Sequence, residues 1–299
     1  MKKFLGLFVL ASLLILAFGC SDSPRVTDPT AEIQVPMVNN KPAVLVHRPE
    51  FVDPRPEDVK SNYIVDVDVF KVDKKPPPPP PDTGSGDDPN PNPPHKYAYI
   101  VGISDYEGTA NDLQYADDDA QDMRSYFISQ GFSVRMDVDR NATADAIGAG
   151  LDWLIASASP GDEILFCYSG HGAKYLQYGS CLISTDLYYV TYGYVMQKFN
   201  SVSCSKKLVT IDACEAGSFL SAGETGSLIA TASNNTYSYD APSLGNGAWT
   251  YYFLEGTASN IYGEDVASYA EAGMRAWAKI YHVRVSPSHT DKYTGMFDI

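Results

Sequence analysis

Two stretches decide how this chain reads: Ile164-Leu165-Phe166-Cys167-Tyr168-Ser169-Gly170-His171-Gly172 and Lys207-Leu208-Val209-Thr210-Ile211-Asp212-Ala213-Cys214-Glu215-Ala216-Gly217. Each starts as a short apolar run of strand length and ends among small residues that flank one chemically active side chain. Outward from them the same rhythm continues. Tyr97 to Ile103, Phe132 to Val138 and Leu228 to Ala232 read as further strands, and Tyr293 to Ile299 as a last one. Leu113, Ala116, Ala120, Met123 and Phe127 recur at helical spacing up to a stop at Gly131. A second helix opens at Thr143, runs through Ile147, Leu151, Leu154 and Ile155, and closes before Pro160-Gly161; a long one covers Val266 to Tyr281.

Strands alternating with helices predict an α/β domain: a mainly parallel central sheet of about six strands with helices on both faces. In such sheets ligands and chemistry gather at the carboxyl ends of the strands. His171 and Cys214 both stand there, just after strands expected to be neighbours. A thiol needs a base to become a thiolate near neutral pH, and a histidine within hydrogen-bond reach supplies one. Gly170 and Gly172 let backbone come close to a substrate. The amides of Gly172 and Cys214 are the natural donors for an oxyanion. A lone loop histidine is usually solvated and a lone cysteine usually a small buried hydrophobe; the pairing at two strand ends is what carries the reading.

An apolar strand ending in Ser-Gly-His-Gly, followed by one ending in Asp-Ala-Cys, resembles the caspase/metacaspase group of cysteine peptidases. Asp119-Ala120, Gly131 to Val134, Pro160-Gly161-Asp162 and Gly247 to Thr250 fit the same pattern, so the resemblance extends from Tyr97 to Ile299. It implies a caspase-like fold, His171 as general base and Cys214 as nucleophile, and hydrolysis of peptide bonds through an acyl-enzyme. No third orienting carboxylate is identified. Caspases hold an Asp side chain with arginines, but Thr231 to Asp240 contains none. Metacaspases cut after Arg or Lys through an acidic pocket, and the matching positions here are Asp119, Ser169 and Asp212. A guanidinium, with five donors in a plane, suits two carboxylates around one cavity. The chain departs from the pattern at Ala116, where many metacaspases carry cysteine.

No cofactor is required by this chemistry. Calcium is a candidate partner because Asp117, Asp118, Asp119 and Asp122 supply hard oxygens and some metacaspases depend on it. Consecutive helical positions point to different sides, however, so the first three cannot all face one ion. The cysteines lack paired spacing and the histidines are scattered, so no zinc site is expected.

The N-terminal part reads differently. Met1-Lys2-Lys3 and the apolar run Phe4 to Phe18 form a signal peptide, with 1–19 removed. Leu16 to Cys20 resembles a bacterial lipobox, which implies lipid on Cys20 and an exported, membrane-anchored lipoprotein of the cell envelope; the alternative is an ordinary signal peptide. Residues 20–95 are expected to be a largely disordered, proline-rich tether, with a stiff rod at Pro76 to Pro81 and one strand-like piece at Tyr63 to Val72. Residues 96–299 then form the peptidase domain. Export allows a disulfide, for which Cys181 and Cys204 are the only pair considered, with free thiols as the alternative. Lys74 in the tether is a candidate self-cleavage site.

The 299 residues are 44% hydrophobic and carry a formal charge of −15. That charge disfavours nucleic acid and anionic lipid surfaces as partners, and suits a peptide or protein substrate bearing cations. Two functions remain in view: a cysteine endopeptidase, and a catalytically silent caspase-like module that binds partners at the envelope.

Overall fold

The computed structural model describes residues 35–56, 60, 94–260 and 262–299. In chain order its elements are β1 (Met37–Val38), β2 (Lys41–Pro42), β3 (Leu45–His47), β4 (Lys96–Gly102), α1 (Ala116–Ser129), β5 (Ser133–Val138), α2 (Ala144–Ser157) and β6 (Glu163–Ser169). There follow β7 (Gly172–Tyr175), β8 (Gly179–Ile183), β9 (Tyr188–Thr191), α3 (Tyr192–Ser201), β10 (Lys206–Asp212), α4 (Gly217–Ala222) and β11 (Ser227–Thr231). The last are β12 (Asp240–Ala241), β13 (Asn246–Gly247), α5 (Ala248–Thr257), α6 (Gly263–Tyr281) and β14 (Ser288–Asp291).

The central sheet has six strands in the order β14-β11-β10-β6-β4-β5. All neighbours are parallel except β14, which runs antiparallel to β11. Every residue of β6 is buried, as the uninterrupted apolar run requires of a central parallel strand. Two apolar cores fill the two faces. Ile147, Leu151 and Leu154 of α2, with Val195 and Phe199 of α3 and Phe219 of α4, pack on one; Met123 and Phe127 of α1, Trp249 and Phe253 of α5 and Met274 of α6 pack on the other. Trp249 donates its indole N–H to Thr210 Oγ1 at 3.0 Å, so its ring is buried without an orphaned donor.

Two sequence expectations are corrected, and one open alternative is decided. The last strand is Ser288–Asp291, not Tyr293 to Ile299; the latter contributes one bridge, Tyr262 with Asp298. Short polar Ser288–Asp291 has no apolar alternation to betray it, because only its backbone is needed to extend β11. Second, residues 35–56 are not a tether: β3 adds to a separate antiparallel sheet of order β3-β9-β8-β7, which buries Val44, Leu45, Val46 and Phe51 against the domain. Burial of this apolar run outweighs the proline content that suggested an extended linker. Third, Cys181 and Cys204 are both free thiols, one buried within β8 and the other hydrogen-bonded to the Lys206 carbonyl. The signal peptide, Cys20, Tyr63 to Val72, Lys74 and the proline rod lie outside the described residues. Among the described residues no helix is long and apolar enough to cross a membrane.

The N-terminal segment is pinned by Thr191, which is fully buried. Its hydroxyl accepts from Val44 N–H at 3.0 Å and from Tyr194 N–H at 3.2 Å, capping α3 as well. Thr191→Val leaves both amides without this acceptor and is expected to lower the unfolding free energy by about 1–3 kcal/mol. Urea denaturation checks the prediction.

Candidate active site

The register of two parallel strands builds the site. β6 and β10 pair Ser169 with Asp212, and one residue further Gly170 N–H donates to the Asp212 carbonyl at 3.1 Å. His171 and Cys214, each two residues beyond that pair, therefore emerge side by side at the carboxyl edge of the sheet. They line one cleft together with Ser169, Asp212, Ser238 and Asp240. Gly170 has φ +153°, and a Cβ there would lie 2.7 and 2.8 Å from the hydroxyls of Tyr168 and Tyr106. Only glycine fits between those two tyrosines.

His171 is 2% exposed and its orientation is fixed on several sides. Its backbone N–H donates to Tyr106 Oη at 2.8 Å, and its carbonyl accepts from Tyr168 Oη at 2.8 Å. The rings of Tyr106 and Phe51 lie 4.8 and 5.5 Å away, centroid to centroid. Nε2 stands 2.7 Å from the carbonyl oxygen of Asn111. A carbonyl only accepts, so Nε2 carries the hydrogen and the neutral ring keeps Nδ1 as its basic nitrogen. Burial pushes the His171 pKa down to about 4, against the opposing pull of Asp53, so the ring is neutral near pH 7.

Cys214 is 6% exposed and its Sγ accepts from Ser238 N–H at 3.3 Å. Burial pushes its thiol up to about 12, with Arg55 acting in the opposite direction. The next residue, Glu215, holds φ +51°, the left-handed region that a non-glycine residue enters at a cost of about 1–3 kcal/mol. Its amide donates to Thr236 O at 3.0 Å and its carboxylate accepts from Lys174 N–H at 3.0 Å, which anchors the turn. Gly172 abuts the nucleophile candidate so closely that a Cβ there would fall 2.2 Å from the Cys214 carbonyl oxygen.

Of the acidic positions, Ser169 and Asp212 line the cleft, whereas Asp119 lies behind them in an adjoining cavity shared with Ser169, Asp212 and Thr250. Ser169 donates to Asp119 Oδ2 at 2.7 Å; Asn246 Nδ2 and Gly247 N–H donate to Asp119 Oδ1 at 3.0 and 2.9 Å. Asp212 accepts from Ser238 Oγ and, at 3.0 Å each, from the amide and hydroxyl of Thr250 in the first turn of α5. A Cβ on Gly247 would sit 2.3 Å from Asp212 Oδ2 and 2.6 Å from Asp119 Oδ2, so both carboxylates converge on this glycine. Burial raises both pKa values, and for Asp119 the nearby Asp212 raises it further. Each carboxylate offers about four lone-pair positions and already uses three, which leaves room for a cation's donors.

Along the acidic helix, Asp117 accepts from Ser104 Oγ at 2.6 Å, whereas Asn246 Nδ2 donates to both Asp119 and Asp122 at 3.0 Å. Sequence reasoning missed two groups. Asn111 acts on His171 through a backbone carbonyl, which leaves no side-chain signature. Arg55 also lines the cleft, from the segment read as a tether; the buried apolar residues Ala43 to Val46 and Phe51 before it were the available signal.

The comparisons with known proteins agree with this fold. Residues 95–276 match the peptidase C14 caspase domain. Metacaspase-1 of Lodderomyces elongisporus is 33% identical over 88 residues, and that of Candida albicans 31% over 88; each match covers 26% of this chain and 19% of the relative. The chain thus spans about a fifth of the length of those relatives. A crystal structure of protein GSU0716 from Geobacter sulfurreducens shares the fold with a TM-score of 0.53 and 16% identity, covering 68% of this chain and 95% of that one.

A neutral imidazole beside an un-ionised thiol predicts a distinct labelling profile. The rate of Cys214 alkylation by iodoacetamide should climb steadily from about pH 6 to 9, without the neutral plateau of a preformed thiolate–imidazolium pair. Mass mapping of the labelled peptides reads this site separately from Cys204.

Proposed function

The chain belongs to the caspase-domain family of cysteine peptidases, and on that premise we propose that it is an endopeptidase whose dyad is Cys214 and His171 and which cuts after Arg or Lys. The observation that carries this reading is the β6–β10 register, with both side chains on one cleft above a pair of buried carboxylates. His171 Nδ1 takes the thiol proton as Sγ attacks the substrate carbonyl carbon. The oxyanion is met by the amides of Gly172 and Cys214. His171 then returns the proton to the departing amine, leaving a thioester on Cys214. Water, deprotonated by the same imidazole, releases the acid and restores the thiol.

The Arg or Lys side chain before the scissile bond enters toward Ser169, Asp212 and, behind them, Asp119. The net charge of −15 favours the approach of such substrates. Lys2-Lys3, the apolar run Phe4 to Phe18 and Cys20 support anchoring of the protein to an envelope membrane by lipid, and its substrates are then peptides or proteins outside the cytoplasm. Calcium remains a candidate activator, and adding it to the assay below tests it by the change in rate.

A peptide library varied only at the residue before the scissile bond tests the specificity. Cleavage is expected after Arg and Lys, and cleavage after Asp or Asn alone would contradict it. Cys214→Ala or His171→Ala should lower kcat by about ten-thousandfold or more. Asp212→Asn should raise KM for Arg peptides by about ten- to a hundredfold, the worth of a charged hydrogen bond.

The pocket also sets a pH dependence. Raised carboxylate pKa values mean that protons neutralise the pocket on acidification, and Asp212 does so near about 6. The attraction for a guanidinium is therefore present above that pH and lost below it. KM for Arg peptides should rise as pH falls from about 7.5 to about 5, while KM for a neutral residue at that position stays flat.

A further inference from the structure

The segment Phe51-Val52-Asp53-Pro54-Arg55-Pro56 lies across the dyad rather than beside it. The Phe51 ring packs on His171 at 5.5 Å and is buried. Asn111, whose carbonyl orients His171, also holds the segment: its Nδ2 donates to Phe51 O at 3.0 Å, and its Oδ1 accepts from Asp53 N–H at 3.0 Å. Arg55 enters the cleft that contains Cys214 and Asp212. Its guanidinium is gripped by Asp53, with Nε 2.8 Å and Nη2 2.7 Å from Oδ2. Both members of this pair are buried, and Arg55 lines the cleft, although they lie only two residues apart in the chain.

A buried ion pair is expensive to form from two solvated side chains, so its location has to be explained by what surrounds it. Asp53 neutralises Arg55 locally, and Asp240 adds to the field that keeps the guanidinium charged against its burial. The occupant of the cleft is thus an arginine, the residue class that the pocket is proposed to accept, and a proline follows it. Asp212 and Asp119 accept from Thr250 and Ser169, while the Arg55 guanidinium is held by Asp53.

We propose that residues 51–55 are a built-in strap that closes the substrate cleft, with Arg55 as its plug and the Asp53–Arg55 pair as its clasp. This rests on the reading of Cys214 and His171 as the dyad, and extends it to regulation of the same site. A substrate reaches Cys214 only after the strap lifts from His171 and Arg55 leaves the cleft. Asn111 couples the two states, because the side chain that holds the strap belongs to the residue whose carbonyl orients the base.

The test uses the full chain. Alkylation of Cys214 by iodoacetamide and turnover of an Arg peptide are measured for wild type, Arg55→Ala and Asp53→Asn, with circular dichroism to verify folding. Both rates should rise roughly tenfold or more in both variants, as when a competent state populated to about a tenth becomes dominant. Unchanged or lower rates in folded variants would overturn the strap, and a selective loss of turnover in Arg55→Ala would make Arg55 part of substrate binding instead. Faster alkylation without cleavage of any Arg or Lys peptide would sink the specificity reading and leave the strap standing. A measurement on the wild-type chain needs no variant. Hydrogen exchange at Asp53 and Arg55 should accelerate when a peptide aldehyde ending in argininal occupies the cleft. Unchanged or slower exchange would contradict the proposal.

Discussion

Pairing of Ser169 with Asp212 across β6 and β10 is the constraint on which the rest of the site depends. Parallel strands carry no hairpin to fix their alignment, so register is held by burial of both faces, and a slip by one residue would turn every side chain to the opposite face. All seven residues of β6 and six of the seven in β10 are buried, which makes such a slip prohibitively costly. The alignment carries two consequences at once. It sets His171 and Cys214 at equal heights above the sheet edge, and it sets Ser169 and Asp212 directly beneath them. The proposed base, nucleophile and acidic floor are therefore one structural unit.

That unit works against solvation. Burial opposes the charged forms of His171, Cys214, Asp119 and Asp212 alike, so the resting site is closer to neutral than its list of ionisable groups suggests. A cationic substrate changes this balance, because a guanidinium near Asp212 favours the ionised carboxylate. Asp212 also accepts two hydrogen bonds from Thr250 in the first turn of α5, where the helix dipole favours an anion. Pocket and scaffold thus share one carboxylate, and the start of α5 is fastened to the same residues that would read the substrate.

Much of this was legible in the chain. The apolar runs ending at Tyr168 and Ile211 marked the central strands, and His171 between two glycines and Cys214 after Asp212-Ala213 marked their carboxyl ends. Other parts were hidden for identifiable reasons. Ser288–Asp291 is polar because an edge strand needs only its backbone. The Asn111 carbonyl is invisible to any reading of side-chain chemistry. Residues 35–56 were obscured by prolines, yet Ala43 to Val46 and Phe51 are apolar enough to demand burial. Their place on β9 depends on a long-range pairing, Leu45 with Val190, that no local pattern announces. Arg55 entered the cleft with them, and its role could be read only once the segment had a position.

The central claim is that Cys214 is a nucleophile reached through an acidic, Arg-accepting cleft. The most direct measurement is the intact mass and peptide map of the full chain, with and without Arg55→Ala, after exposure to a peptide acyloxymethyl ketone ending in arginine. The account predicts a single covalent adduct on Cys214, absent when the ketone ends in aspartate and absent from His171→Ala. An adduct on another cysteine, or none on Cys214 even with Arg55 replaced, would contradict it.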